Sequence, residues 1–276
     1  MDARESLRSG DSTGALEQLK QEVRKAPRDP RLRTFLFQMF CIFGEWDRAL
    51  TQLATIAELD PIALPMTQAY QAAIRCEILR GKVFAGSRTP TFFGEPESWM
   101  SLLVEAGRVL AAGRPEEAAG LRDAAFEGAP TAAGSLQTEA GEQEFAWIAD
   151  ADQRLGPVLE AIIDGKYYFV PFHRIGRIDI EAPADLRDQV WLPAHFTWAN
   201  QGETVGFIPT RYPGSEAAGG EIALGRRTEW RESGDWFLGI GQRMLATDAG
   251  ETALMDVRRI TFAGLESSEA GPPTTA

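Results

Sequence analysis

The chain has 276 residues, long enough for two ordinary domains, and its 44% hydrophobic and 25% charged content is that of a globular protein. A formal charge of −12 argues against a nucleic-acid backbone or an anionic membrane as the main partner, because both would repel it, and leaves neutral or positive protein surfaces. Met1 to Glu5 include no apolar stretch, and no apolar run approaches the roughly 18 residues of a membrane span, so a cytoplasmic protein without membrane insertion is expected.

A repeat comes first. Gly10, Ala15, Leu16, Leu19, Val23 and Pro27 recur thirty-four positions later as Gly44, Ala49, Leu50, Leu53, Ala57 and Pro61. That period is one tetratricopeptide helical hairpin. Glycine opens the turn, alanine admits a neighbouring helix, the larger apolar residues form the buried stripe and proline stops the unit. Gly113, Ala118, Ala119, Ala125 and Pro130 suggest a third copy, displaced by about two periods. Between the copies, Leu32, Phe35, Leu36, Met39 and Phe40 form one helical face. Met66, Ala69, Tyr70, Ala73, Ile74 and Ile78 form a second, and Trp99, Leu102, Leu103, Ala106 and Leu110 a third. Residues 1–127 therefore read as a tetratricopeptide-like helical domain, with an ordinary helical bundle as the competing reading. Cys41 and Cys76 fall in these helices and read as buried free thiols.

A Gly/Ala/Thr-rich stretch makes 128–144 a connection, and a short helix is expected over 149–163, ending at Asp164-Gly165. Strands are then expected at 166–172, 174–180, 190–198, 205–209, 222–228, 236–240 and 254–262, each rich in aromatic or β-branched residues and bounded by turn formers. With no regular helices between them, they predict a curved or barrel-like antiparallel sheet in a C-terminal α+β domain over 145–263. The small, polar residues from 264 to 276 read as a disordered tail. The fold class is α+β and multidomain.

Catalytic machinery is hard to find. His173 and His195 are the two histidines and lie on expected strands. Asp150-Ala151-Asp152 opens like a calcium loop, but Ala161 stands where a bidentate glutamate is needed. Gly239-Ile240-Gly241 lacks a third glycine and a following helix, so no dinucleotide site is supported. Nothing implies a cofactor or a metal, and the chain reads as a non-enzyme. Asp150, Asp152 and Arg154, Arg211-Tyr212 and Arg226 to Trp230 are open to two readings: internal ion pairs holding a loop-rich sheet, or a recognition rim of arginine and aromatic residues.

The segment Trp147-Ile148-Ala149-Asp150-Ala151-Asp152-Gln153-Arg154-Leu155-Gly156-Pro157 resembles the ImpE family, also called TagJ, of type VI secretion accessory proteins. The resemblance continues through Glu160, Asp164 to Phe172, Leu186 to Trp191, Ile208 to Ser215, Gly225 to Trp230 and Gly239 to Arg243. It brings no catalytic residues. It implies a cytoplasmic adaptor that binds the N-terminal helix of the small contractile-sheath subunit, TssB, and associates with the sheath-disassembling ATPase ClpV. It leads to Trp147, Trp191, Trp198, Arg211, Tyr212 and Trp230 as candidate partner contacts, in the C-terminal domain and at its boundary with the repeats. Two other classes compete: a hydrolase built on Asp150, Asp152, His173 and Arg211, and a general helical-repeat co-chaperone.

Overall fold

Among the described residues, seven helices build the N-terminal part: α1 (Ala3–Arg8), α2 (Ser12–Lys25), α3 (Pro30–Ile42), α4 (Trp46–Leu59), α5 (Leu64–Phe84), α6 (Ser98–Ala111) and α7 (Pro115–Gly128). They come from a computed structural model that describes residues 3–264; the segment expected to be a tail lies outside the described residues except for its first position. Local chemistry sets the helix starts. Asp11 accepts from the Gly14 N–H at 2.8 Å, and Asp29 accepts from Arg31 at 2.8 Å just ahead of Pro30. Gly10, Gly44 and Gly113 sit in the interhelical turns with φ of +88°, +67° and +76°, which only glycine adopts without strain. Five residues after each of them, Ala15, Ala49 and Ala118 are fully buried.

Fourteen strands follow or interleave: β1 (Thr91–Phe92), β2 (Gly134–Thr138), β3 (Gly141–Phe145), β4 (Ile148–Asp150), β5 (Val158–Ile163), β6 (Lys166–Pro171), β7 (Ile175–Ile180), β8 (Trp191–Trp198), β9 (Glu203–Pro209), β10 (Thr228–Ser233), β11 (Trp236–Gly241), β12 (Met244–Thr247), β13 (Gly250–Ala253) and β14 (Val257–Phe262). Nine of them make one sheet in the order β1-β6-β5-β9-β8-β7-β14-β2-β3. Every pairing in it is antiparallel except β1 with β6. The sheet is open and not a closed barrel. Its edges are the two-residue β1 and β3, whose Glu142 and Glu144 are exposed, as befits an edge that must not pair further. A three-stranded sheet, β13-β12-β4, and the hairpin β10-β11 complete the structure.

Several expected elements change type. The helix expected over 149–163 is β4, a turn and β5. Gly156 breaks the chain there with φ +51°, and Val158–Ile163 is buried on both faces, so its sequence, apolar but for Glu160, carries no alternation to mark it as a strand. The connection expected at 128–144 contributes β2 and β3 to the large sheet. In the strand expected over 222–228, Ile222 and Ala223 close a one-turn helix, α9 (Gly220–Ala223), and the strand begins only at Thr228. A second one-turn helix, α8 (Ser215–Ala218), precedes it.

The side-chain period of two divides β5 between two cores. Val158 and Ile162 face the helices and join a cluster with Leu19, Phe37, Leu53 and Trp191. Leu159, Ala161 and Ile163 face the other way, into a cluster with Phe196, Ile260 and the small sheet's Ile148 and Leu245. Helices and sheet thus share a core. A third, smaller cluster holds the hairpin: Trp236 is enclosed by Ala106, Val109 and Ala118 of α6 and α7 and donates its Nε1–H to Pro115 O at 3.0 Å. Arg122 replaces the leucine of the earlier repeats, and its guanidinium lies 4.7 Å from the Trp236 ring.

Candidate functional site

Glu160 stands at the centre of the molecule's polar interior. Its place on β5 between Val158 and Ile162 aims it at α5, where Arg80 meets it with a two-point ion pair: Nε to Oε1 at 2.6 Å and Nη2 to Oε2 at 2.8 Å. Arg243 bridges Glu160 to Asp150, and the Tyr167 hydroxyl donates to Glu160 as well. Tyr212 donates to Asp150 at 3.1 Å and accepts from the Met244 N–H at 2.9 Å. Asp152 pairs with Arg154 and accepts the Gly239 N–H at 2.8 Å. Each of these six charges, Arg80, Asp150, Asp152, Arg154, Glu160 and Arg243, therefore has an opposite partner, which is the condition for burial at a tolerable desolvation cost.

Burial pushes the Asp150 carboxyl up to about 6, against the pull of Arg243. Burial acts on Glu160 too, but the two arginines overcome it and hold this carboxyl at about 2. Tyr167 and Tyr212 are raised, first by burial and then by the carboxylate each one faces. Both stay protonated donors. Arg211 differs, since burial lowers its affinity for a proton and its side-chain partners are carbonyls. Its guanidinium donates to Cys41 O at 3.2 Å and Ile42 O at 2.9 Å, the last carbonyls of α3, and to Ala223 O at the end of α9. A cation at a helix C-terminus also complements the helix dipole.

Four of the six candidate contacts lie inside. Trp191 is fully buried; its Nε1–H donates to Glu77 Oε1 at 3.0 Å, and its ring lies 5.8 Å from that of Tyr70. Trp198 is buried and stacks on Phe93 at 4.1 Å. Arg211 and Tyr212 belong to the polar interior just described. Trp147, 40% exposed, reaches the surface, and half-buried Trp230 lies 5.8 Å from Tyr212. The six do not converge on one surface. The hydrolase constellation does not assemble either: Asp150, Asp152 and Arg211 are committed as above, while His173 Nε2 lies 3.0 Å from Glu97. Sequence reasoning missed Arg80 and Glu77. A charged i, i+3 pair on the face that α5 buries through Tyr70, Ala73 and Cys76 was the available signal.

An open surface does exist between the two halves. A groove of about 710 Å³ runs between Ala69 and Ala72 of α5 and the sheet residues Pro193, Val205 and Phe207. Val205 is 72% exposed, although it sits in mid-strand opposite His195. The small alanines keep the helix wall flat. Asp164 and Glu181 stand on the rim, and Asp179 is paired with Arg259 at 2.6 Å.

Sequence comparison now bears on these features. The family described as ImpE protein matches residues 142–261. Over 263 residues, covering 95% of this chain and 91% of its counterpart, the sequence is 48% identical to the type VI secretion system accessory component TagJ of Pseudomonas aeruginosa PAO1. The chain belongs to the ImpE family. A crystal structure of a Vibrio parahaemolyticus protein, 25% identical, has the same fold with a TM-score of 0.83 and covers 94% of this chain and 97% of that one. The ImpE match contains Asp150, Asp152, Arg154, Glu160, Tyr167, Arg211, Tyr212 and Arg243. In this ImpE chain the segments that carry the resemblance are thus largely the ones that wire its interior, while Arg80 completes the circuit from outside the match. Among the described residues no helix is long and apolar enough to cross a membrane.

Proposed function

We propose that this protein is a non-enzymatic accessory adaptor of type VI secretion, working in the cytoplasm, that binds the N-terminal helix of the small sheath subunit TssB and assists sheath recycling with the ClpV ATPase. Its kinship with a type VI accessory component supports the system. The groove between α5 and the sheet is the observation that carries the mode of binding. An apolar floor beside a wall of small residues suits the apolar face of an amphipathic helix. Asp164 and Glu181 on the rim make no ion pair among the described residues, so they favour basic residues on that helix's polar flank. The left-handed glycines and buried alanines at matching repeat positions support a tetratricopeptide-like reading of α2 to α4. Among the candidate contacts, Trp147 and Trp230 can touch a partner directly. Trp191 and Trp198, on β8 with the groove's Pro193 and Ala194, would act by holding its sheet wall in place, and Arg211 and Tyr212 by holding the interior behind it.

Calorimetry with a synthetic TssB N-terminal peptide tests the reading. Binding is expected, with Val205→Glu weakening it about tenfold or more, the scale of burying an uncompensated charge. No heat at high micromolar peptide would reject it.

A further inference from the structure

A second concavity, of about 240 Å³, lies at the other end of α5, between α6, β6 and the β10-β11 hairpin. Its floor is apolar: Phe84, Leu103, Phe169 and Leu238. Its charged residues are all arginines, namely Arg88, Arg108 and Arg154. That is unexpected in a chain with 40 acidic and 28 basic residues, and no carboxylate lines this cleft.

The three cations are not equally engaged. Arg154 is held by Asp152, with its guanidinium 5.0 Å from the Phe84 ring, and Arg108 makes a two-point pair with exposed Glu105, Nε to Oε2 at 2.8 Å and Nη2 to Oε1 at 2.5 Å. Arg88 has no side-chain partner among the described residues; its backbone N–H alone is bonded, to Lys82 O at 3.2 Å. Helix capping does not account for it. The last carbonyls of α5 already accept from the N–H groups of Ala85, Gly86 and Ser87, and those of α6 accept from Ala112, Gly113 and Arg114.

We propose that this cleft binds a carboxylate carried on an apolar body of one large side chain's size, the hydrocarbon lying on Leu238 and Phe84 and the carboxylate meeting Arg88 and Arg108 at the mouth. The volume is below that of sites for drug-sized ligands, which limits the ligand to a fragment. Charge-assisted bonds from the exposed guanidinium groups to the carboxylate give the selectivity. The site is separate from the groove proposed for the sheath helix and stands without it.

The test uses the full chain and ligand-observed NMR with 4-methylpentanoate, its neutral amide and N-acetyl-leucine at millimolar concentration. The acid is expected to bind at least tenfold more tightly than the amide, and Arg88→Glu to remove that preference. Gly107 lines the cleft with open space where a Cβ would go, so Gly107→Leu should fill the cavity, keep the helix and abolish binding of both compounds. N-acetyl-leucine binding more tightly than the free acid would assign the site to a chain end, and the reverse to a free organic acid. Equal binding of acid and amide, no detectable transfer from any compound, or binding that survives in folded Gly107→Leu would overturn the proposal.

Discussion

Glu160 shows what one residue can be asked to hold. Replacing it with glutamine keeps the shape but leaves Arg80 with Glu77 alone, at 3.3 Å, and Arg243 with Asp150 alone. Breaking one side of a buried ion pair costs about 3–5 kcal/mol, so Glu160→Gln should lower the urea midpoint by that equivalent. The two carboxyls also set opposite pH trends. Asp150 rises to about 6 in the fold, so the native state holds its proton more tightly than the unfolded chain does. Its contribution makes stability fall as pH rises from about 4 to 6, by roughly 3 kcal/mol in all. Glu160, held at about 2, contributes stability that is complete above its unfolded value and is lost as pH falls toward 2. Denaturation midpoints measured from pH 3 to 7 should therefore peak near the crossing of the two trends, and Asp150→Asn should flatten the high-pH limb. A limb that keeps its slope in the variant would rule out Asp150 as its source.

At the scale of elements, the hairpin β10-β11 is fixed to the helices chiefly through Trp236 and Arg122. Trp236→Ala removes a fully buried indole and its hydrogen bond to Pro115, for an expected loss of about 3–5 kcal/mol. Because that indole sits between α6 and α7, amide exchange should rise first in those two helices and in the hairpin, and less in β5 and β8. The helices were legible in the sequence because each buries one stripe, which a period of 3.6 reveals. Strands β6, β7, β8 and β11 were legible for the corresponding reason, with aromatic and β-branched residues between turn formers. β5 was not, because a strand covered on both faces loses its alternation, and six buried residues after Leu-Gly-Pro read as a helix continuing. The site was legible in kind only. Arginine and aromatic residues at turns have the same composition whether they face a partner or one another. What separates the two cases is the facing charge on α5, some eighty residues away from Glu160 in sequence.

On this architecture the whole molecule should unfold as one cooperative unit. The helical half does not close a core of its own, because Leu19, Phe37 and Leu53 share a cluster with Val158, Tyr167, Phe169 and Trp191 of the sheet. Arg80 and Arg211 cross the same boundary with charged bonds, and a Cβ at Gly44 would lie 2.6 Å from the Glu216 side chain, so even the interhelical turn is fitted to the other half. Separating the halves would expose that apolar surface and strand buried arginines, a cost well above the stability of an ordinary domain. The expected outcome is a single urea transition of the full chain, with helix content by far-UV circular dichroism and tryptophan fluorescence coinciding. Residues 1–128 expressed alone should lack a cooperative transition and bind a hydrophobic dye. Two separated transitions, or a cooperatively folded helical fragment, would show that the shared core contributes little. In that event the Glu160→Gln destabilisation should appear in the sheet's transition alone, whereas a single unit requires it to shift both probes together.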